Sequence, residues 1–310
     1  MQLWEIFVAV VLGIVEGLTE FAPVSSTGHM ILVKNIFLNY HEPKGEVFLV
    51  VIQLGSMLAV TVVYWRRLLS LIGIEVGEKN REEQSQIQAH MHAQAVPNQD
   101  LIFQQSHTTL SRREKHKKNK LSIIHILIGM APAVIVGLLF YDEIKKFMGT
   151  TKFVILAIVA GGILMILAEK FKPAPKANSL DEVTYKQAFM VGLFQCLALW
   201  SGFSRSGSMI SGGLIAGISH RTAADFAFIL GLPMMVAASG KDLLESWHIL
   251  HASDLPFFIT GFVTAFIVSI ISIKFFLALL KRINLTPFAI YRFILAGVIL
   301  LIAWAFNIPL

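Results

Sequence analysis

The sequence predicts an all-α polytopic membrane protein made of two inverted-topology repeats, each a re-entrant helix pair plus three transmembrane helices. Three observations lead there. Hydrophobic residues make up 55% of the 310, and the mean hydropathy is +0.67, well above that of a soluble globular chain. Basic residues collect in alternate loops. The two most polar stretches set within apolar sequence, 16–29 and 195–210, resemble each other.

The first apolar segment, Leu3–Val15, is 13 residues long with one charge, Glu5. As a helix it rises roughly 20 Å, short of the roughly 30 Å hydrocarbon core. No basic residue precedes it, so it is expected to persist rather than be cleaved as a signal peptide. The chain then turns polar at Glu16-Gly-Leu-Thr-Glu-Phe-Ala-Pro-Val-Ser-Ser-Thr-Gly-His29. Ionisable groups at that depth are costly and usually face a bundle interior or an aqueous cavity. Phe48–Trp65, Ile123–Tyr141 and Phe153–Ala168 follow as three spans. Ala188–Trp200 and Met209–Ile218 form the second re-entrant pair, and Phe226–Ala238, Phe257–Leu280 and Phe288–Phe306 are the last three spans. This makes one membrane domain over 1–310, with repeat one at about 1–169 and repeat two at about 187–306. The stretch 78–119, polar and containing His90, His92, His107 and His116, reads as a solvated cytoplasmic loop.

Charge sets the orientation. Arg66-Arg67, the basic run 112–120, Lys170, Lys172, Lys176, Lys186, His220-Arg221 and Lys281-Arg282 are placed inside. Segments 38–46 and 241–256 then lie outside, and the two halves run in opposite directions. The net charge of +6 is absorbed by these loops, and no nucleic-acid partner is expected. The single cysteine, Cys196, excludes an intrachain disulfide and a multi-cysteine metal site.

The repeat is also visible residue by residue. At an offset of 179, the separation of Gly13 and Gly192, Val-Ser25-Ser26-Thr27-Gly28-His29-Met30-Ile31 lies over Phe-Ser204-Arg205-Ser206-Gly207-Ser208-Met209-Ile210. Inverted repeats with broken helices meeting near the midplane are a recurring architecture for substrate sites.

The residue types suit phosphate chemistry on an amphiphile. Glu16 and Glu20 are four apart and share one helix face. They suit a hard cation such as Mg²⁺ or Ca²⁺, or a general base; the alternative is a pair of carboxylates capping a helix end. Ser25, Ser26, Thr27 and Gly28 resemble an anion cradle of hydroxyls and closely approaching N–H groups, although serine and threonine are also ordinary helix N-caps. Ser204, Ser206 and Gly207 repeat the arrangement around Arg205. A guanidinium is a fixed fork for phosphate oxygens, and pairing with one of the glutamates is its other reading. His29 follows Ser26 by three positions, within hydrogen-bond reach across a turn, and exchanges protons near neutrality.

The motif at 16–29 together with Gly-Phe-Ser-Arg-Ser-Gly at 202–207 resembles the undecaprenyl-diphosphate phosphatase family linked to bacitracin resistance. So do Val51-Ile-Gln-Leu-Gly-Ser56, Tyr185-Lys-Gln-Ala-Phe189 and Pro287-Phe-Ala-Ile-Tyr-Arg-Phe293. The resemblance covers essentially the whole chain outside 78–119. It implies a multi-pass enzyme of the bacterial inner membrane, opening to the periplasmic side, that hydrolyses undecaprenyl diphosphate to undecaprenyl phosphate and inorganic phosphate. It also implies a divalent cation, Mg²⁺ or Ca²⁺, with Glu16 and Glu20 as the acidic pair. By position, Ser26 and His29 are candidates for nucleophile and proton partner, with water as a third candidate attacker. Arg205 would clamp the diphosphate, helped by Ser25, Thr27, Ser204 and Ser206. The family usually has proline and threonine where this chain has Ser201 and Met209, and Met209 removes one phosphate donor. The rival function is a transporter or flippase of undecaprenyl phosphate using the same anion site. A homo-oligomer stays open.

Overall fold

A computed structural model describes residues 3–42, 44–74, 120–140, 143, 151–246, 248 and 251–306. The predicted 78–119 loop, with its four histidines, lies outside the described residues. Among those described there are ten α-helices, and no strand beyond one isolated bridge between Ala177 and Ile218.

Helix α1 is Leu3–Thr19, running past the predicted Val15 to carry Glu16 in its last turn. Helix α2, Ser26–Met30, continues as a π-helical stretch over Ile31–Phe37. Helices α3 (Lys44–Leu71), α4 (Ile123–Leu139) and α5 (Thr151–Phe171) complete the first half. In the second half, α6 (Tyr185–Gln195) passes through a 3-10 turn, Cys196–Leu199, to α7 (Arg205–Ile215). Then come α8 (His220–Ser246), α9 (Leu255–Leu279) and α10 (Thr286–Ala305).

Local signals explain several boundaries. Thr184 and Gln187 make a reciprocal capping box at the start of α6: Thr184 Oγ1 accepts from the Gln187 N–H at 3.3 Å and Gln187 Oε1 accepts from the Thr184 N–H at 2.9 Å. The Gln187 amide also donates to the Ala216 carbonyl at 3.0 Å, which ties the start of α6 to the end of α7. Pro256 and Pro287 sit in the first turns of α9 and α10, where a missing N–H costs nothing.

Five helices among the described residues are long and apolar enough to cross a membrane: α3, α5, α8, α9 with its leading turn, and α10. Their outward faces carry large apolar side chains such as Ile271, Phe275, Leu301 and Trp304, all well exposed. Apolar surface of that extent is disfavoured in water and suits lipid. The chain is a multi-pass membrane protein. The sixth predicted span, α4, is apolar but has 17 described residues, about 26 Å of helix. Helices α6 and α7 have 11 residues each, roughly 17 Å against a hydrocarbon core of roughly 30 Å.

Packing follows small residues, as is usual between apolar helices that gain little from burying oil against oil. Helix α1 lies on α9, and α6 lies on α4. A Cβ on Gly13 would come 2.8 Å from the Gly261 carbonyl oxygen, and one on Gly192 would come 2.1 Å from that of Gly129. The two glycines that define the sequence offset therefore do the same job on their respective partners. The main core joins Met57 and Val60 of α3 to Met165, Met209, Leu214, Phe226, Leu230 and Phe276. A second cluster packs Val8 and Leu12 of α1 with Phe48, Ile52 and Phe257. These cores hold the shorter helices against the long ones and bring residues 20–29 and 200–207 together.

Candidate active site

The site begins where α1 stops. The Glu20 N–H still donates to the Glu16 carbonyl at 2.9 Å, so the two carboxylates keep the helical one-face relation although the helix ends at Thr19. Both are buried, and their carboxyl groups adjoin. The chain then turns through Pro23 to Ser25, whose φ is 72° and ψ 93°. Ser204, ahead of α7, has φ 73° and ψ 112°. A serine at such angles is uncommon and costs on the order of 1–3 kcal/mol. Each is held by the same device, a side-chain oxygen accepting the N–H of the glycine three residues on: Gly28 for Ser25 and Gly207 for Ser204, both at 3.3 Å. The oxygens of Ser25 and Ser204 thus serve as N-caps, one of the two roles weighed from sequence, while each hydroxyl keeps its O–H as a donor at the cavity wall.

The two turns are cross-linked. Glu20 pairs with the Arg205 guanidinium through Oε1 and accepts from the Ser26 hydroxyl at 2.7 Å through Oε2. The Ser206 hydroxyl donates to the Ala22 carbonyl at 3.2 Å. Gly207 packs against Pro23 closely enough that a Cβ would lie 3.4 Å from the proline ring. Of the sequence candidates, Glu20, Ser25, Ser26, Thr27, Ser204 and Arg205 line one cavity of about 600 Å³. Glu16, Gly28, His29, Ser206 and Gly207 stand behind it. Gly28 is a packing position: a Cβ there would meet Ile158 Cδ1 at 2.7 Å.

One expectation is corrected. His29 does not hydrogen-bond Ser26. Its Nδ1 lies 2.8 Å from the Ser25 carbonyl oxygen and its Nε2 lies 2.7 Å from the Tyr291 hydroxyl. The short helix 26–30 turns the imidazole toward α10, whereas Ser26 faces Glu20. Met209 is fully buried in the core, and Ser201 lines the cavity.

Further polar residues, Asp242 of the cavity lining among them, were missed as site residues from sequence. Gln53 and Gln195 line the cavity, and Gln53 Oε1 accepts from Ser239 at 3.2 Å. Gln195 lies 179 residues after Glu16, and both Gln195 Oε1 and Glu16 Oε1 are buried without a hydrogen-bond partner among the described residues. The repeat offset carried that signal. Tyr291 sits in a motif already noted, but nothing local distinguishes a tyrosine that meets His29 from one that faces lipid. The rest of the cavity wall is mostly apolar and includes Leu199, Trp200, Met234, Met235 and Ala238. A long apolar chain attached to an anionic head matches such a lining.

The fold and site together define a class: a helical multi-pass membrane protein whose buried acid, paired with a half-buried arginine, and hydroxyls face an apolar-walled cavity at two broken turns. A family model, Bacitracin resistance protein BacA, matches residues 9–298, which include both turns and all or most of every helix. The chain belongs to this family, known as that of the undecaprenyl-diphosphate phosphatases.

Proposed function

We propose that the chain hydrolyses undecaprenyl diphosphate to undecaprenyl phosphate and inorganic phosphate at the periplasmic side of the bacterial inner membrane. This would recycle the lipid carrier for cell-wall synthesis and confer bacitracin resistance. The observation that carries the reading is the Ser26–Glu20–Arg205 chain at the cavity wall. A hydroxyl already donating to a carboxylate is half-way to being a nucleophile with its base, and a guanidinium beside it suits phosphate oxygens.

In this scheme the Ser26 oxygen attacks the terminal phosphorus while Glu20 takes its proton. The phosphorus–oxygen bond to the lipid phosphate breaks, and the lipid monophosphate leaves with the electron pair. Water then hydrolyses the phosphoserine; a water held at Ser26 could also attack directly. Arg205 exchanges Glu20 for the incoming phosphate. Phosphoryl transfer depends mainly on such positioning and charge neutralisation. The double engagement of His29 supports Glu20 over His29 as the base.

Glu16 and Glu20 are the residues that would hold a divalent cation, Mg²⁺ or Ca²⁺. The unpartnered Glu16 Oε1 and the adjoining Glu20 carboxyl fit one. No cluster of three or more His, Cys, Asp and Glu occurs among the described residues. Two carboxylates plus substrate oxygens is the usual magnesium arrangement, and a bound cation would supply charge for the phosphate oxygens.

The inverted-repeat reading belongs here too. It is supported by the matched caps at Ser25 and Ser204, the matched glycine contacts at Gly13 and Gly192, and the opposed basic loops. That same symmetry favours the rival transporter reading. Phosphate release from a polyprenyl diphosphate by purified protein in detergent, where there are no two sides, separates them. We expect release that EDTA abolishes and added Mg²⁺ or Ca²⁺ restores. Absence of release under all metal conditions sinks the phosphatase reading.

A further inference from the structure

Tyr291 and Arg292 are consecutive residues of α10, and they reach the two turns in different directions. The Ser25 carbonyl can only accept, so His29 Nδ1 carries the proton and Tyr291 donates its hydroxyl hydrogen to Nε2. The two rings are near-parallel, 7° apart in tilt with centroids 5.6 Å apart. With both nitrogens engaged, the imidazole links the backbone of the left-handed Ser25 to α10.

Arg292 is fully buried. Its Nε donates to the Ile158 carbonyl at 2.9 Å, and Nη2 donates to the carbonyls of Ala157 and Gly202, both at 3.1 Å. Gly161 leaves the room it needs: a Cβ there would be 2.4 Å from Arg292 Nη2 and 2.5 Å from the Phe203 carbonyl. Gly202, at φ 93°, lies two residues before the left-handed Ser204. A guanidinium at membrane depth, hydrogen-bonded to three carbonyls, is an expensive component. An apolar residue would fill the space between α5 and α10, but it would not grip the Gly202 carbonyl.

We infer that Tyr291 and Arg292 are positioning residues that hold the two active-site turns from one helix. Tyr291 acts on the first turn through His29, and Arg292 acts on the second through Gly202. The consequence is that Ser26 with Glu20, and Arg205, are presented to the headgroup at a fixed separation. Neither residue lines the cavity, so neither is given contact with substrate. The kinetic part of this inference rests on the phosphatase reading; the structural part does not.

The test uses the full chain in detergent, with two readouts: phosphate release from a polyprenyl diphosphate, and hydrogen–deuterium exchange of amides 25–30 and 202–208. Tyr291→Phe deletes one hydroxyl and keeps the ring. It should lower kcat roughly tenfold, the cost of one hydrogen bond, with KM little changed, and should raise exchange in 25–30 only. In a His29→Ala background the same change should add nothing, because its route is gone. Arg292→Lys should raise exchange in 202–208 and raise KM, since Arg205 starts from that turn. If Arg292→Lys does not fold, the Tyr291–His29 cycle decides the matter. Unaltered exchange in both segments, or a Tyr291→Phe effect that persists in full without His29, overturns the inference. Wild-type protein that releases no phosphate would count against the phosphatase reading alone, and the exchange readout would still decide this one.

Discussion

Glu20→Gln separates the chemical role of Glu20 from its structural one. Glutamine keeps the volume and an acceptor for the Ser26 hydroxyl, but loses the charge that faces Arg205. The Glu20 side chain is 3% exposed and that of Arg205 is 25%. Removing one partner of a fully buried pair costs about 3–5 kcal/mol. Arg205 is partly wet through the cavity and keeps a neutral acceptor, so the structural loss should fall below that range, at about 1–3 kcal/mol. Loss of a general base costs on the order of 10²–10⁴ in rate, which is about 3–5 kcal/mol on the barrier. The two effects are read separately: a thermal scan reports the first, and kcat on the monodisperse, folded fraction reports the second. The expected outcome is a folded protein with a modestly lower Tm and at least a hundredfold lower kcat. A variant with lowered Tm but kcat within about tenfold of wild type would make Glu20 only a partner for Arg205 and refute its role as base.

Three other outcomes test the frame around the site. Ser25→Gly should be milder than Ser25→Ala: both lose the cap, worth about 1 kcal/mol, but glycine also relieves the positive φ, and the ranking of their melting temperatures checks this. Gly192→Ala should destabilise by about 1–3 kcal/mol through overpacking, because the new Cβ meets backbone at Gly129 rather than a movable side chain; a Tm equal to wild type would contradict the close α4–α6 approach. Asp181, in the connection between α5 and α6, is pushed upward by burial, but the Arg67 guanidinium and the Leu121 N–H outweigh this and hold its carboxyl below the usual aspartate range. A depressed carboxylate stabilises the fold above its unfolded pKa, near 3.9, and loses that contribution as pH falls through its folded value. Asp181→Asn should therefore melt below wild type at pH 7, with the gap closing below about pH 4; a gap that is constant across pH would refute this.

The site was legible in sequence to the extent that it violates its surroundings. Glu16, Glu20 and Arg205 are charges within apolar sequence, a rare and costly placement. Arg292 is a charge of the same kind inside the last apolar segment, yet its role stayed hidden because its partners are carbonyls of distant residues, which no sequence pattern marks. Ser25 and Ser204 were readable both as caps and as anion donors, and only the hydrogen bonds that their oxygens accept from Gly28 and Gly207 establish the first role. His29 was misdirected for a related reason. Spacing of three permits contact with Ser26 on a turn, but it does not say which way the ring faces once α10 supplies a better-placed hydroxyl.

Composition, apolar run lengths and the paired motifs of 16–29 and 195–210 are sufficient for a multi-pass helical protein with its polar site inside apolar sequence. The reason is that transfer free energies into a bilayer are large and nearly additive along the chain. Hydrogen-bond pairing is different: its energies are small, directional and decided by atoms brought together from far apart in sequence. Tertiary structure alone therefore turned Ser26 to Glu20, turned His29 to Tyr291, and set Arg292 beneath the Gly202 turn.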